Sequence, residues 1–286
     1  MPYLKTTDGV NLFYNDWGHV RPVVLIHGWP LDHSMWSDQA VFLAENGFRV
    51  IAYDRRGFGR SDQPWDGYNY NTLSDDLACL LDSLNLEKAT LVGFSMGGGE
   101  VARYLNRHAS GRIDRVALVS AVTPFMLKTE DNPGGVDRSV FDQMLTGLSE
   151  DRPGFLADFG MAFYGNGLLT SKVSQEIIQW SGQVAMMASL RATIECVKAF
   201  ATTDFRPDMK CFDVPTLIIH GAADQTVPLA ASARASKRLV PDATLIEYQD
   251  EPHGLFVTAK ARLNTDLLNF LQPSGLSEED RRMLRM

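Results

Sequence analysis

Cysteine is scarce in this chain of 286 residues, and the few cysteines are poorly placed for disulfide bonds. Cys79, Cys196 and Cys211 are an odd number, lie far apart and include no Cys-x-x-Cys pair. Disulfide frameworks are typical of small secreted domains, whereas isolated thiols are typical of a reducing compartment. We therefore expect three free thiols that act as small hydrophobic side chains, and a cytoplasmic location.

Long apolar runs and an excess of positive charge are also missing. No uncharged stretch approaches the roughly 18 apolar residues of a membrane-spanning helix, and residues 1–8 lack the apolar core of a signal peptide. Lys and Arg number 27 against 35 Asp and Glu, a formal net charge of −8. Nonspecific attraction to phosphate backbones or anionic lipid is then not expected. These absences predict a soluble protein that binds neither nucleic acid nor membrane.

Motifs for nucleotides and metals are absent as well. The glycine pair Gly57-x-Gly59 would need a third glycine at position 62, where Asp62 stands, to form a dinucleotide-binding loop. The chain has no G-x-x-x-x-G-K-[ST], no H-E-x-x-H and no close histidine and cysteine cluster that would indicate zinc. We expect an activity that uses neither a cofactor nor a metal ion.

Strand and helix patterns alternate along the first part of the chain. A hairpin with its turn at Asp8-Gly9 comes first. Apolar runs typical of strands buried on both faces follow at 23–26, 49–53, 89–92 and 116–120. Helical spacings lie between them, one starting at a predicted capping box, Thr72–Asp75. The alternation predicts an α/β fold with a mostly parallel central sheet flanked by helices.

The alternation stops after residue 121 and resumes near residue 212. Helical patterns occur at 173–180 and 186–200, without a clear strand, and strand patterns return at 216–219 and 244–248 with helices near 230–239 and 255–271. We predict an α/β core formed by residues 1–122 and 212–272. A helical cap, residues 123–211, interrupts it, and residues 273–286 form a polar C-terminal tail.

The segment Gly93-Phe94-Ser95-Met96-Gly97 is a G-x-S-x-G motif. It follows the strand pattern at 89–92 and opens a helix, which is the strand–turn–helix setting that this motif requires. The serine of such a turn has strained backbone, so the positions two before and two after it must be very small. We therefore predict Ser95 as a nucleophile, which needs a base to take its proton.

The chain contains six histidines, and His253 is the best candidate for the base. It lies directly after the last predicted strand, and the sites of open α/β sheets form beyond the carboxyl ends of strands. His27 and His220 each follow a strand in a His-Gly pair, and we expect them to be structural. The remaining histidines, which we expect to be surface or packing residues, are His19, His33 and His108.

The imidazole needs a carboxylate to hold its tautomer and to stabilise the cation that forms during attack. Asp224 follows the strand at 216–219 at its carboxyl end, whereas Asp213 precedes that strand and lies at the wrong end of the sheet. Asp250 and Glu251 are less suitable because they are so close in sequence to His253, but they remain alternatives. The order serine, aspartate, histidine is the one found with this motif, so we predict Asp224.

Two backbone N–H groups are expected to bind the oxyanion, each worth roughly 3–4 kcal/mol in the transition state. One is Met96, directly after the nucleophile and at the start of a helix. The other comes from the loop after the strand at 23–26. Pro30 has no N–H, so Trp29 is the predicted donor.

Five motifs in order resemble the α/β-hydrolase fold, and within it the bacterial cofactor-free haloperoxidase, arylesterase and perhydrolase group. They are His27–Pro30, Asp54–Ser61, Gly93–Gly99, His220–Asp224 and His253-Gly254. The resemblance covers about residues 1–272. It implies that Ser95, Asp224 and His253 are nucleophile, acid and base in the hydrolysis of small esters through an acyl-enzyme. In some members hydrogen peroxide replaces water and gives a peracid.

The same resemblance implies the surroundings of the site and the partners. The insert would cover the site. Its aromatic side chains, among them Phe125, Phe141, Phe159 and Phe163, would line an acyl pocket together with Trp29 and Val227. Small-molecule ester, lactam or peroxide substrates and a homo-oligomer are implied. Lactone or γ-lactam opening and carbon–carbon bond hydrolysis use the same triad and remain alternatives.

Two further alternatives are disfavoured. Dehalogenases and epoxide hydrolases of this fold need an aspartate at position 95, where Ser95 stands. A non-catalytic ligand-binding scaffold would predict a degraded triad, whereas all three members are present.

Overall fold

The computed structural model describes residues 2–108, 111–167 and 170–272. Its strands are β1 (Tyr3–Lys5), β2 (Asn11–Trp17), β3 (Pro22–Ile26), β4 (Arg49–Tyr53), β5 (Ala89–Phe94), β6 (Ile113–Val119), β7 (Thr216–Gly221) and β8 (Thr244–Tyr248). They form one sheet in the order β1-β2-β4-β3-β5-β6-β7-β8. The pairs β1–β2 and β2–β4 are antiparallel, and every later pair is parallel. The predicted fold class and mostly parallel sheet are confirmed.

Helices connect the strands and cover both faces of the sheet. They are α1 (Ser37–Glu45), α2 (Tyr70–Ser83), α3 (Met96–His108), α4 (Arg138–Glu150), α5 (Arg152–Phe163), α6 (Gln175–Met187), α7 (Leu190–Thr202), α8 (Ala233–Leu239), α9 (Leu255–Thr258) and α10 (Lys260–Leu271), with 3-10 turns at His33–Trp36 and Asp208–Cys211. None of these helices has both the length and the apolar character needed to cross a membrane.

The sheet divides the apolar core into two layers, which explains the unbroken apolar runs. Along β3, Val24 and Ile26 pack into one layer while Val23 and Leu25 pack into the other. All four side chains are fully buried. Alternate residues of a strand point to opposite faces, so a strand covered by helices on both sides must be apolar throughout.

Three predicted helix boundaries are wrong. Helix α2 begins at Tyr70, because the Asn69 side chain accepts hydrogen bonds from the Asn71 and Thr72 N–H groups, both at 3.1 Å. The predicted capping box at Thr72–Asp75 therefore lies inside the helix. The predicted helix 186–200 is divided where Ser189 caps α7, and the predicted helix 255–271 is divided at Ala259.

The described residues between β6 and β7 contain four α-helices, α4 to α7. Two of them, α4 and α5, were not identified from the sequence. Helix α5 has little amphipathic pattern because it packs against both α4 and α6, so its apolar residues do not lie on one face. In the described part of this interval only isolated bridges occur, such as Leu127 with Val136. The bounds of the cap remain a prediction, and the predicted tail, 273–286, lies outside the described residues.

Candidate active site

Ser95 lies in a sharp turn between β5 and α3. Its backbone is left-handed, with φ +53°, a conformation that non-glycine residues rarely adopt. A Cβ atom at Gly93 would lie 2.6 Å from the Gly97 carbonyl oxygen, and one at Gly97 would lie 2.6 Å from the Ile26 carbonyl oxygen. The two glycines therefore permit the helix to approach the sheet closely enough to form this turn.

The three predicted triad side chains form one chain of hydrogen bonds. Ser95 Oγ lies 2.9 Å from His253 Nε2, and His253 Nδ1 lies 2.7 Å from Asp224 Oδ2. The exposed fractions are 5% for Ser95, 1% for His253 and 6% for Asp224. This arrangement can move a proton from the hydroxyl to the imidazole while a carboxylate faces the other ring nitrogen.

The topology brings these residues together from distant positions in the chain. Asp224 lies in the turn after β7, and His253 lies in the loop after β8. The carboxyl ends of neighbouring parallel strands share one edge of the sheet, where Ser95 also stands. The His253 ring packs against the Phe94 and Phe163 rings, each with a centroid distance of 4.9 Å.

Asp224 is held as an anion by its surroundings. Burial alone would raise its pKa, but the interactions with His253 and His220 outweigh that effect and hold the pKa below its ordinary value. Its Oδ1 also accepts hydrogen bonds from the Thr226 and Val227 N–H groups, at 2.9 and 2.8 Å. The carboxylate is thus both charged and fixed in direction.

The alternative carboxylates are directed elsewhere. Asp250 is exposed, and Glu251 accepts a hydrogen bond from Thr258 and lies 3.6 Å from Lys172 Nζ. The structure therefore brings Asp224, and neither of these neighbours, to His253.

His220 is a part of the site that sequence reasoning placed only among structural residues. It is fully buried, and its Nε2 lies 2.8 Å from the Val227 carbonyl oxygen and 3.2 Å from Asp224 Oδ2. Nδ1 has no hydrogen-bond partner within the described part of the chain, so the contacts of the ring are made through Nε2. The sequence signal was its position four residues before Asp224.

The two predicted oxyanion donors belong to residues close to Ser95. Met96 is the first residue of α3, and Trp29 follows Gly28, where an added Cβ would lie 3.0 Å from Ser95 Cβ. Within the described residues, neither the Trp29 nor the Met96 N–H donates a hydrogen bond to another group. The Trp29 indole N–H is directed away, to the Thr193 carbonyl oxygen at 3.1 Å.

A buried ion pair supports the loop that carries Trp29. Arg55 donates to the His27 carbonyl oxygen at 2.8 Å and to Glu100 Oε2 at 2.8 Å, and the Arg55 N–H donates to His27 Nε2 at 3.0 Å. Tyr53 also donates to Glu100. Because Glu100 lies on α3, this network ties the loop after β3 to the helix that begins at the nucleophile.

A mostly apolar cavity opens beside the triad, and such a lining is typical of small-molecule sites. Of the predicted pocket residues, Trp29, Phe141, Phe159 and Val227 line it together with Ser95 and His253. The lining residues that the predicted pocket set did not include are Val122, Met126, Val136, Val140, Met144, Phe200 and Thr226. Most lie in the predicted cap, residues 123–211, whose side-chain directions the sequence pattern does not show.

Two of the predicted pocket residues, Phe125 and Phe163, do not line this cavity. The Phe125 ring lies under the Arg206 guanidinium, 5.2 Å from its centroid, and does not line this cavity as described. Phe163 contacts the His253 ring and lines a smaller neighbouring cavity with Pro30 and Leu31. These positions make Phe163 a support for the base and Phe125 a packing residue of the cap.

The structure also brings Asp32, His33 and Asp54 together, with potential ligand atoms within 4.8 Å of one another. Each of the three side chains already has a protein partner for at least one of its polar atoms. His33 Nδ1 lies 2.6 Å from Asp54 Oδ1, and the second Asp54 oxygen accepts from the Arg60 N–H at 2.8 Å. Asp32 accepts from the Ser34 N–H at 2.8 Å. These contacts stabilise the turn at residues 32–34 and the loop at residues 54–60.

Comparison with known proteins agrees with this geometry. The alpha/beta hydrolase fold family matches residues 21–260. The chain belongs to the α/β-hydrolase family. This hydrolase is 44% identical over 273 residues to a non-heme chloroperoxidase from Kitasatospora aureofaciens, a match that covers 95% of this chain and 99% of the relative.

Two further relatives place it in the predicted group. A bifunctional esterase/perhydrolase from Acinetobacter calcoaceticus is 41% identical, with 95% of this chain and 100% of the relative covered. The crystal structure of a bromoperoxidase from Bacillus anthracis is similar with a TM-score of 0.91 and 42% identity, covering 95% of this chain and 100% of that one. The predicted resemblance to the haloperoxidase and perhydrolase group is confirmed.

Proposed function

We propose that this hydrolase transfers acyl groups from small carboxylic esters to water, and also to hydrogen peroxide, through an acyl-enzyme on Ser95. The observation that carries the proposal is the hydrogen-bonded chain from Ser95 through His253 to Asp224, which opens on an apolar cavity. Serine, base and acid in this geometry are the components of acyl transfer.

Acylation begins when the Ser95 hydroxyl attacks the ester carbonyl and gives its proton to His253 Nε2. The Trp29 and Met96 N–H groups receive the negative oxygen of the tetrahedral intermediate. Asp224 stabilises the imidazolium that forms. The imidazolium then protonates the departing alkoxide, which leaves the acyl group on Ser95.

Deacylation repeats these roles with a new nucleophile. His253 removes a proton from water, and attack on the acyl-enzyme gives a carboxylic acid. When hydrogen peroxide takes the place of water, the same attack gives a percarboxylic acid. The identity of the relatives as an esterase/perhydrolase and a non-heme chloroperoxidase supports this second acceptor.

The decisive experiment combines a fluorophosphonate probe with ester turnover. We expect one probe adduct on the wild-type chain and none on Ser95→Ala, and a kcat for p-nitrophenyl acetate that falls by several orders of magnitude in the variant. Peroxide should convert part of the acid product into peracid. Absence of an adduct on folded wild-type protein would contradict the proposal and favour a ligand-binding scaffold.

Assembly and location also belong to the proposal. The group resemblance supports a homo-oligomer, which sedimentation of the purified protein would test. A cytoplasmic location is supported by the scarce, unpaired cysteines, all three of which are free in the structure.

A further inference from the structure

The acyl cavity contains two thioether side chains that ester hydrolysis does not use. Met126, only 2% exposed, and Met144, half-buried, line the same cavity as Ser95 and His253. Leucine has a similar volume and would fill the same space. A thioether differs from leucine because its sulfur accepts an oxygen atom and becomes a sulfoxide.

We propose that Met126 and Met144 are oxidation sites that react with percarboxylic acid formed at Ser95 before it leaves the cavity. The inference rests on the proposed perhydrolysis. The sulfur lone pair attacks the terminal peroxy oxygen, so that an S–O bond forms as the O–O bond breaks. The peroxy proton passes to the departing carboxylate. The peracid is thus reduced to the carboxylic acid, and the methionine is oxidised to its sulfoxide.

The placement of the other methionines supplies an internal comparison. Met186 and Met187, 43% and 52% exposed, lie at the end of α6 on the surface. An oxidant that arrives from solvent meets these two side chains first. An oxidant generated at Ser95 meets Met126 and Met144 first. The order of oxidation along the chain therefore distinguishes the two sources.

Oxidation of the cavity would change substrate binding. The sulfoxide is polar where the thioether was apolar, and the surrounding lining includes Val122, Val140 and Phe141. The oxidised cavity should bind apolar acyl groups less well. Each enzyme molecule would then have a limited number of perhydrolytic turnovers, and treatment with methionine sulfoxide reductases should restore its activity.

The first test maps methionine oxidation by peptide mass spectrometry in wild-type enzyme and Ser95→Ala. Both receive p-nitrophenyl acetate with hydrogen peroxide, and a third sample is Ser95→Ala given preformed peracetic acid. In the wild type we expect sulfoxide at Met126 and Met144 to rise with peracid formed and to precede oxidation of Met186 and Met187. Preformed peracid on the variant should reverse that order.

Two results would overturn the inference in distinguishable ways. In the first, the wild type accumulates peracid, but its Met126 and Met144 are oxidised no faster than in Ser95→Ala treated with preformed peracid. That result would refute the inference and would still support perhydrolysis. If no peracid forms although the fluorophosphonate adduct does, perhydrolysis and the inference fail together.

A second test follows the lifetime of the enzyme. Each variant's rate is divided by its own initial rate, since changes in the cavity affect catalysis directly. The double variant M126L/M144L should decline more slowly than wild type under peroxide, and the surface control M186L/M187L should decline like wild type. Equal decline of all three would contradict the inference. If M126L/M144L fails to fold, the order in which methionines are oxidised in the wild-type enzyme still tests the inference.

Discussion

At the scale of single residues, the site depends on side chains that fix one another's direction. Asp224 accepts hydrogen bonds from two backbone N–H groups and faces both His253 and His220. Each contact removes a rotamer that would point the carboxylate away from the base. We therefore expect the chemistry of Ser95 to depend also on His220, which is not among the residues that line the cavity.

His220 is expected to act as a positioning residue. His220→Ala should lower kcat by about 10- to 100-fold, the range found when a side chain that orients a functional group is removed. His220→Gln, which can place an amide N–H near the Nε2 position, should recover part of the loss. The measurements are kcat and KM for p-nitrophenyl acetate, with the pH profile of kcat/KM.

A merely structural role for His220 predicts a different result. Both variants would then lose stability to a similar extent, while the properly folded fraction would keep the wild-type kcat and pH profile. Urea unfolding of each variant supplies that control.

At the scale of elements, the turn at Ser95 requires α3 to lie very close to β3. Gly97→Ala would place a Cβ 2.6 Å from the Ile26 carbonyl oxygen and 2.9 Å from that of His27. We expect a loss of stability of about 1–3 kcal/mol and a large loss of activity, as α3 is pushed from the sheet. The measurements are urea unfolding and esterase assay.

Gly182→Ala is the matched control for that substitution. Gly182 lies within α6, and apart from its chain neighbours and the surrounding helix backbone no described atom lies within 4 Å of a Cβ built there. Alanine is favoured over glycine inside a helix by about 0.5–1 kcal/mol. The control should therefore be slightly stabilised, and a similar loss in both variants would refute the steric explanation.

The β1–β2 turn is tied to the core by an ion pair that depends on pH. The Arg56 guanidinium, 2.8 Å from Asp8, lowers the pKa of that carboxyl to about 2. A lowered pKa means that the stabilisation is present above the unfolded-state value near 4 and is lost as the pH falls toward 2. Because Asp8 is half exposed, the effect should be small.

Asp8→Asn should therefore lower the free energy of unfolding by up to about 1 kcal/mol at pH 7. The difference between variant and wild type should shrink as the pH falls from 5 to 3. Denaturant unfolding at these pH values measures it. A difference that grows in acid would contradict this assignment.

At the scale of the whole molecule, α7 of the predicted cap packs against the core through Cys196. This thiol is fully buried, and burial raises its pKa to about 12, so almost no reactive thiolate is present at neutral pH. Cys79 and Cys211 are half-buried. The reactivity of Cys196 therefore reports separation of the predicted cap from the core.

Thiol labelling with iodoacetamide should modify Cys79 and Cys211 in the native protein and Cys196 only after unfolding. If the cap and core unfold as one unit, Cys196 should become reactive at the same urea concentration at which the sheet is lost, as followed by circular dichroism. Labelling of Cys196 at urea concentrations well below that transition would show that the predicted cap separates from the core before the sheet unfolds.

Much of the sheet and the triad could be predicted because their signals are local. Residues 23–26 are all apolar since β3 is buried on both faces, and the glycine at 93 reflects contacts with Gly97 and Gly98 within one strand–turn–helix unit. The helix boundaries failed at Asn69 and Ser189, where a single capping side chain decided the outcome.

The sequence alone determined which chemistry the chain carries: a serine in a turn that tolerates only small neighbours, followed by an acid and a base after later strands. Only the tertiary structure decided what surrounds them. His220 reaches Asp224, Phe125 turns to Arg206, and Met126 enters the cavity. The physical reason is that residue spacing fixes the direction of a side chain relative to its own element. The packing of the predicted cap on the core decides which of those side chains reach the site.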